Sequence, residues 1–207
     1  QGALKGITTG TNNIAIGSGD STAIGITTGS NNIVMGPGSG NDMTTGSSNV
    51  FIGNAAGNVY QGGSNSIGIG SNALANQDSV AASANIAIGK DAGSNLGNTT
   101  GGNVIIGTDA GKAGQVMYDN TLIGNEAGKA ITDGHSNSIL GHEAGKAMTT
   151  ANSNVLIGKS AGASSTTSSN NILIGQSAGF AMTNSVGKNI VIGSLALGTA
   201  SSSATDG

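Results

Sequence analysis

The chain contains no cysteine, no tryptophan and no arginine, and its aromatic residues are two tyrosines and two phenylalanines. Without cysteine there is no disulfide framework, which is compatible with an exported protein that is stabilised by repetition instead. Compact globular cores are usually anchored by aromatic and leucine-rich packing. The composition therefore argues against an ordinary globular core.

The absence of arginine also limits the partners of the chain. All seven basic residues are lysines and the net charge is −3. Arginine supplies the bidentate contacts to phosphates and base edges, so we expect no nucleic-acid partner. No apolar run approaches the ~20 residues that cross a bilayer, so we expect no membrane span in this segment.

A short repeat runs through the 207 residues and is clearest at 171–179, Asn-Ile-Leu-Ile-Gly-Gln-Ser-Ala-Gly. We call the glycine after its apolar triplet the anchor glycine. The 11 copies are spaced by 17 to 19 residues and have anchor glycines at Gly17, Gly36, Gly53, Gly70, Gly89, Gly107, Gly124, Gly141, Gly158, Gly175 and Gly193. A fixed period of this length is typical of a solenoid, in which each coil buries its apolar face against its neighbours. β-branched residues at a strict period also argue against disorder, and we predict an all-β parallel β-solenoid, a flat β-roll with one coil per 17 to 19 residues.

The apolar triplet predicts a short strand in which the first and third residues share one face. We expect that face to form the coil core, including Ile14, Ile16, Ile52, Ile69, Ile88, Ile106, Ile123, Ile157, Ile174 and Ile192. The middle residue faces the other way and is also apolar in most copies, and a strand that is apolar on both faces is buried on both. We therefore predict that the middle residues pack on identical chains in a homotrimer, through Ile105, Leu122, Ile139, Leu156, Leu173 and Val191.

The asparagines and Ala-Gly pairs between the apolar triplets predict the turns. An asparagine precedes almost every strand, with Asn137 placed one residue early and Asn65 beside Ser66, and stacked copies can form a ladder of amide hydrogen bonds. Ala-Gly pairs such as Ala56-Gly57 fit a tight second corner. Weaker strands are predicted around residues 59–60, 116–117, 130–131, 147–148 and 181–182. We expect residues 1–207 to form one array of about 11 coils and to be a segment of a longer fibre, since neither end carries a clear cap.

The Asn-x-apolar-Ile-Gly-x-x-Ala pattern resembles the head repeats of trimeric autotransporter adhesins of the YadA type, most closely at 64–74. The Ile-Gly-x-x-Ala-Gly form of the later copies also resembles repeats of phage tail fibres. The resemblance covers about the whole chain and rests on a short motif, with units longer than those of YadA heads. It implies a left-handed parallel β-roll packed as a homotrimer and an extracellular place on a virion tail or a bacterial cell surface.

Two charge ladders stand in the middle of the array. Two residues after the anchor glycines lie Asp91, Asp109, Glu126 and Glu143, and five after them lie Lys112, Lys129 and Lys146. We interpret them as alternating surface ion pairs; the alternative is a cation site between stacked carboxylates, for which the chain lacks the calcium-roll motif. His135 and His142 are interpreted as solvated turn residues. No catalytic arrangement is recognisable, so we predict no enzyme, no metal and no cofactor.

A row of regularly spaced threonines indicates an alternative function. Thr8, Thr27, Thr44, Thr132, Thr149 and Thr166 lie nine residues before an anchor glycine, and a regular outward threonine row is typical of some ice-binding solenoids. Threonine also fits strands. The function we expect is a structural or adhesive fibre segment that attaches to a cell-surface receptor or glycan. The alternatives are a pure spacer with recognition elsewhere, and ice binding.

Overall fold

The structure is a computed structural model that describes residues 8–17, 26–77, 83–97, 101–182 and 187–198. Within these residues it is an all-β parallel solenoid. One strand per coil builds a parallel sheet of 11 strands, and two further sheets have two strands each. The strands are β1 Ile14–Ile16, β2 Ile33–Met35, β3 Val50–Ile52, β4 Val59–Tyr60, β5 Ile67–Ile69, β6 Asn76–Gln77, β7 Ile86–Ile88, β8 Val104–Ile106, β9 Val116–Tyr118, β10 Thr121–Ile123, β11 Asp133–His135, β12 Ser138–Leu140, β13 Val155–Ile157, β14 Ile172–Ile174 and β15 Ile190–Ile192.

The predicted period is confirmed by the strand register. Each apolar triplet pairs in parallel with the next one, for example Leu156 with Leu173, so that 17 to 19 residues separate equivalent positions. The anchor glycines stack as well. A Cβ added to Gly107 would lie 2.3 Å from the carbonyl oxygen of Gly124, and the φ of Gly107 is 134°. The coils approach so closely here that only glycine fits.

The second strand of each coil is less regular than predicted. Residues 59–60 form β4 and residues 116–117 lie in β9, as expected, but residues 130–131, 147–148 and 181–182 lie in turns or irregular backbone. Two strands that the pattern did not predict, β6 and β11, pair with β4 and β9 respectively. The predicted Ala-Gly corner is confirmed, because the glycine of each pair has a φ of 53° to 60°. The array ends that we expected to continue, residues 1–7 and 199–207, lie outside the described residues.

The assignment of the two strand faces was wrong, because the middle residue of the triplet forms the coil core. Ile105, Leu122, Ile139, Leu156, Leu173 and Val191, predicted at the trimer interface, are all at most 5% exposed within the single chain. The predicted core residues lie on the outer face. Among them, Ile14, Ile16, Ile88, Ile157 and Ile192 are 37% to 67% exposed, and Ile52, Ile69, Ile106, Ile123 and Ile174 are only partly covered.

The physical reason for this orientation lies in the Ala-Gly corner, which folds back onto the middle residue. A Cβ on Gly57 would lie 2.6 Å from the ring of Phe51, and a Cβ on Gly111 would lie 2.9 Å from Leu122. Side-chain volumes compensate along this inner column. The Phe51 ring occupies the space over Gly68, and the fully buried Leu74 stands at a corner position that is glycine in most coils. Such matched volumes are a property of packed interiors.

The asparagine ladder is confirmed and lies inside the coils. The Nδ2 of Asn120 donates to Asn103 Oδ1 at 3.1 Å and to the carbonyl of Gly134 at 2.7 Å, while the backbone N–H of Asn137 donates to Asn120 Oδ1 at 3.0 Å. Asn137 is in register with the other members, since Ser138 pairs with Thr121. One rung differs.

At that rung Ser66 takes the asparagine position. The Ser66 Oγ accepts the Tyr60 hydroxyl at 2.6 Å, and both residues are buried. Burial raises the pKa of Tyr60 to about 12, with the hydrogen bond to Ser66 opposing that rise. A hydroxyl in place of an amide leaves room for the tyrosine.

Candidate interaction surfaces

The main sheet presents a continuous apolar surface to the outside of the coil, which we call the outer apolar face. It consists of the first and third residues of each triplet, and all of them are apolar except Thr121 and Ser138. Ile157 and Ile172, on the adjacent strands β13 and β14, are each 37% exposed, and Leu140 is 48% exposed. The strand is therefore apolar on both sides, as the sequence predicted, but the side that the single chain leaves exposed is the one that carries the first and third residues of each triplet.

The size of this face sets it apart from scattered surface hydrophobics. At ~4.8 Å per coil, the 11 strands span about 50 Å, and a three-residue strand is about 10 Å long. The flat area is then roughly 500 Å², and the protruding side chains add to it. The largest apolar patch on a typical monomer is about 300 to 600 Å², and patches of that size or larger often mark interaction sites.

The two charge ladders form the predicted ion-pair network. Lys112 Nζ lies 3.1 Å from Asp91 and 3.0 Å from Asp109, and Lys129 Nζ lies 3.1 Å from Asp109 and 2.9 Å from Glu126. Lys146 in turn contacts Glu126 and Glu143. Each lysine thus joins the carboxylate of its own coil to that of the preceding coil, which offsets the repulsion along each ladder.

These contacts shift the pKa values of the paired groups. Burial works to raise the pKa of Asp109, but hydrogen bonds from Lys112 and Lys129 outweigh it and lower that pKa. Hydrogen bonds from Lys146 and Lys129 lower the pKa of Glu126, and Lys146 lowers the pKa of Glu143. The lysine pKa values are raised, that of Lys112 chiefly by Asp109 and that of Lys129 chiefly by Glu126. The carboxylates are occupied by ammonium groups, and no cluster of three or more His, Asp or Glu residues that could hold a metal occurs in the described ranges.

The two histidines lie in different surroundings. The His135 ring stacks on Tyr118 with ring centroids 4.4 Å apart and planes inclined by 10°. His142 Nδ1 lies 3.7 Å from Glu143, and its side chain is half exposed. His142 thus matches the predicted solvated turn residue, whereas His135 packs between coils. The parallel pairing of β9 and β11, which places Tyr118 opposite His135, was not predicted from the sequence.

The threonine row is used for stacking the coils. The Oγ1 of Thr27 donates to the carbonyl of Thr44 at 3.1 Å, and the Oγ1 of Thr149 donates to the carbonyl of Thr166 at 3.2 Å. Thr8, Thr44 and Thr132 make the same bond to the next coil. These hydroxyls hydrogen-bond one coil to the next, so coil stacking by itself accounts for the regular spacing of the threonines.

Comparison of the chain with protein-family models, with curated proteins and with solved structures finds no match in any of the three. Among the residues that the structure describes, no helix has the length and apolar character needed to cross a bilayer.

Proposed function

We propose that this chain is a segment of a homotrimeric fibre whose three copies pack through their outer apolar faces. The observation that carries the proposal is the row of partly exposed Ile, Val, Leu and Met side chains along the whole main sheet. Burial of apolar surface contributes about 25 cal/mol per Å², so covering this face supplies a large driving force for association.

A threefold arrangement suits the two columns of the face. The first residues of the triplets form one column and the third residues form the other. Around a threefold axis each chain meets two neighbours, so each column can pack against a different copy. The resemblance to YadA-type heads and to tail-fibre repeats supports the same assembly.

The proposed role is attachment at a virion tail or a bacterial cell surface. Stacked coils with buried hydrogen-bond ladders make a stiff rod, and three copies multiply weak contacts with a receptor by avidity. A passive spacer is the second candidate. It is favoured by the lysines and carboxylates of the middle coils, which bond to one another.

The first test is the mass of the purified chain in sedimentation equilibrium. We expect three times the chain mass of 19.7 kDa. The outer-face variant Ile157→Asp, combined with Ile174→Asp, should give folded monomers because it places carboxylates in the apolar interface. The neighbouring core variant Leu156→Asp should instead unfold its coil, since Leu156 is 1% exposed in the single chain.

The exposed Thr150 provides the matched control. Thr150→Asp introduces one aspartate away from the outer apolar face and should remain trimeric with an unchanged circular dichroism spectrum. A wild-type chain that sediments as a monomer or a dimer would contradict the trimer, and so would an Ile157→Asp/Ile174→Asp variant that keeps the trimer mass.

A further inference from the structure

A trough follows the corner of the solenoid beyond the Ala-Gly turn. One part has a volume of 580 Å³ and is lined by Ala113, Ala130, Ala147 and Ala163 together with Lys112, Lys129 and Lys146. A second part of 310 Å³ is lined mostly by polar residues, among them Asn58, Asn76 and Asp91. The two parts share Asn95 and Lys112, so they form one trough along the solenoid axis.

The floor and the rim of this trough differ in chemistry. The floor carries Ala113, Ala130 and Ala147 at equivalent positions of three successive coils, and Ala163 of the next coil stands at the position that lysine occupies in those three. The ammonium group of each lysine is held by two carboxylates, so its aliphatic stem is fixed beside the alanines rather than free in solvent. The site is therefore apolar at its base and hydrogen-bonding at its edges, and its side chains are positioned before any ligand arrives.

The charges of the rim select the kind of ligand. Four carboxylates alternate with three ammonium groups, so a polyanion would meet Asp109 and Glu126 wherever it met Lys129, and a polycation would meet the lysines. Like charges brought together in this way are costly. A neutral chain with many hydroxyl groups meets no such repulsion, and it can donate to Asp91 and to the asparagine amides and accept from the lysine ammonium groups that line the trough.

We propose that the trough binds a linear neutral glycan lying along the fibre axis. The pair of a lysine and an alanine repeats once per coil over three successive coils, so the occupant is a chain with a short repeat rather than a single small molecule. A sugar ring has an apolar face for the alanine methyl groups and lysine stems, and its edge carries hydroxyls for the rim. The amides of Asn76 and Asn95, which bond to each other at 3.0 Å, offer further polar groups at the other end. The proposal extends the proposed function by naming a receptor class, but it does not require the trimer.

Binding is tested by saturation-transfer NMR and calorimetry with hexasaccharides of α-glucan, β-glucan, mannan, galactan and chitin. At least one of them should bind the wild-type chain. Ala130→Leu combined with Ala147→Leu fills the trough and should weaken that binding at least tenfold. Thr150→Leu adds the same side chain on a different face and should leave it unchanged.

A second variant distinguishes weakened binding from misfolding. Asn95→Ala acts at the junction of the two parts without filling either one, and it should weaken binding several-fold with the circular dichroism spectrum unchanged. Failure of every neutral glycan to bind would overturn the proposal, as would binding that survives the filled trough. Tighter binding of heparin, polyglutamate or an extended peptide than of any glycan would also overturn it. Because the trough residues lie outside the outer apolar face, these results are independent of the sedimentation result.

Discussion

Asn120 shows how a single buried side chain can join three successive coils. Its amide donates to Asn103 and Gly134, and its Oδ1 accepts both the backbone N–H and the Nδ2 of Asn137. The sequence predicted this ladder because asparagine recurred just before each strand. It did not predict that the ladder would be buried, because asparagine before a strand is also common in exposed turns.

We expect Asn120→Ala to open the coil locally, since it leaves buried donors and acceptors of Asn137 and Gly134 without partners. Each such group costs about 1 to 3 kcal/mol. Hydrogen exchange at the amide of Asn137 measures the opening and should accelerate by more than tenfold. Asn120→Ser is the control that the chain itself suggests, because Ser66 Oγ accepts the backbone N–H of the next coil at 3.1 Å. Equal acceleration in both variants would show that the side-chain ladder is not what holds the coil.

At the scale of the strand, the sequence correctly predicted the period and the parallel pairing. The prediction of which strand face points into the coil was wrong. Alternation shows that the first and third residues of a triplet share a face, yet it does not show which face is inward. Two signals for the correct answer were present. Thr121 and Ser138 belong to the column that was predicted to be core, and the middle column ranges from Phe51 to Gly68, as compensating side chains in a packed interior do.

The ladder of lysines and carboxylates is the element whose stability depends on pH. The pKa values of Asp109, Glu126 and Glu143 are lowered in the folded chain, so their stabilisation is complete above the ordinary value of 4.5 for glutamate and is lost as the pH falls through the lowered values. Lys112 and Lys129 have raised pKa values, so their stabilisation is complete below 10.5 and is lost as the pH rises through the raised values. Thermal unfolding should therefore show a plateau between about pH 5 and 10.

Salt and a variant separate this effect from general acid unfolding. The pairs are partly exposed, so 1 M salt should lower the melting temperature on the plateau by a small amount, in keeping with the modest strength of surface pairs. Lys129→Met keeps the apolar stem but removes the charge between Asp109 and Glu126. In this variant the melting temperature should fall less steeply as the pH drops below about 5. If the melting temperature of Lys129→Met fell at acid pH by as much as that of the wild type, the ion pairs would not be the cause of the pH dependence.

The whole molecule is a one-dimensional stack, and this makes a deletion experiment informative. In a solenoid each coil contacts only its neighbours, so removing one full repeat creates one new interface between coils of the same register and leaves the other interfaces unchanged. Deletion of residues 158–174 joins Ile157 directly to Gly175 and removes 17 residues, the commonest step between anchor glycines. We expect the shortened chain to keep its β spectrum and to melt within a few degrees of the wild type.

Deletion of residues 158–173 removes one residue fewer and leaves Ile174 between Ile157 and Gly175. Counted from Gly175, Ile157 then takes the inner position in place of Leu156, Leu156 turns outward, and Val155 replaces Asn154 at the position of the buried asparagine ladder. Isoleucine can fill the inner position at a cost below about 1.5 kcal/mol, but valine cannot make the ladder hydrogen bonds of Asn154, and each buried polar group left without its bond costs about 1 to 3 kcal/mol. We therefore expect the melting temperature of this variant to fall by roughly 10 °C. If both deletions melted alike, strand facing would not be set by the distance to the anchor glycine, and the assignment of the isoleucines to the outer apolar face would lose its physical basis.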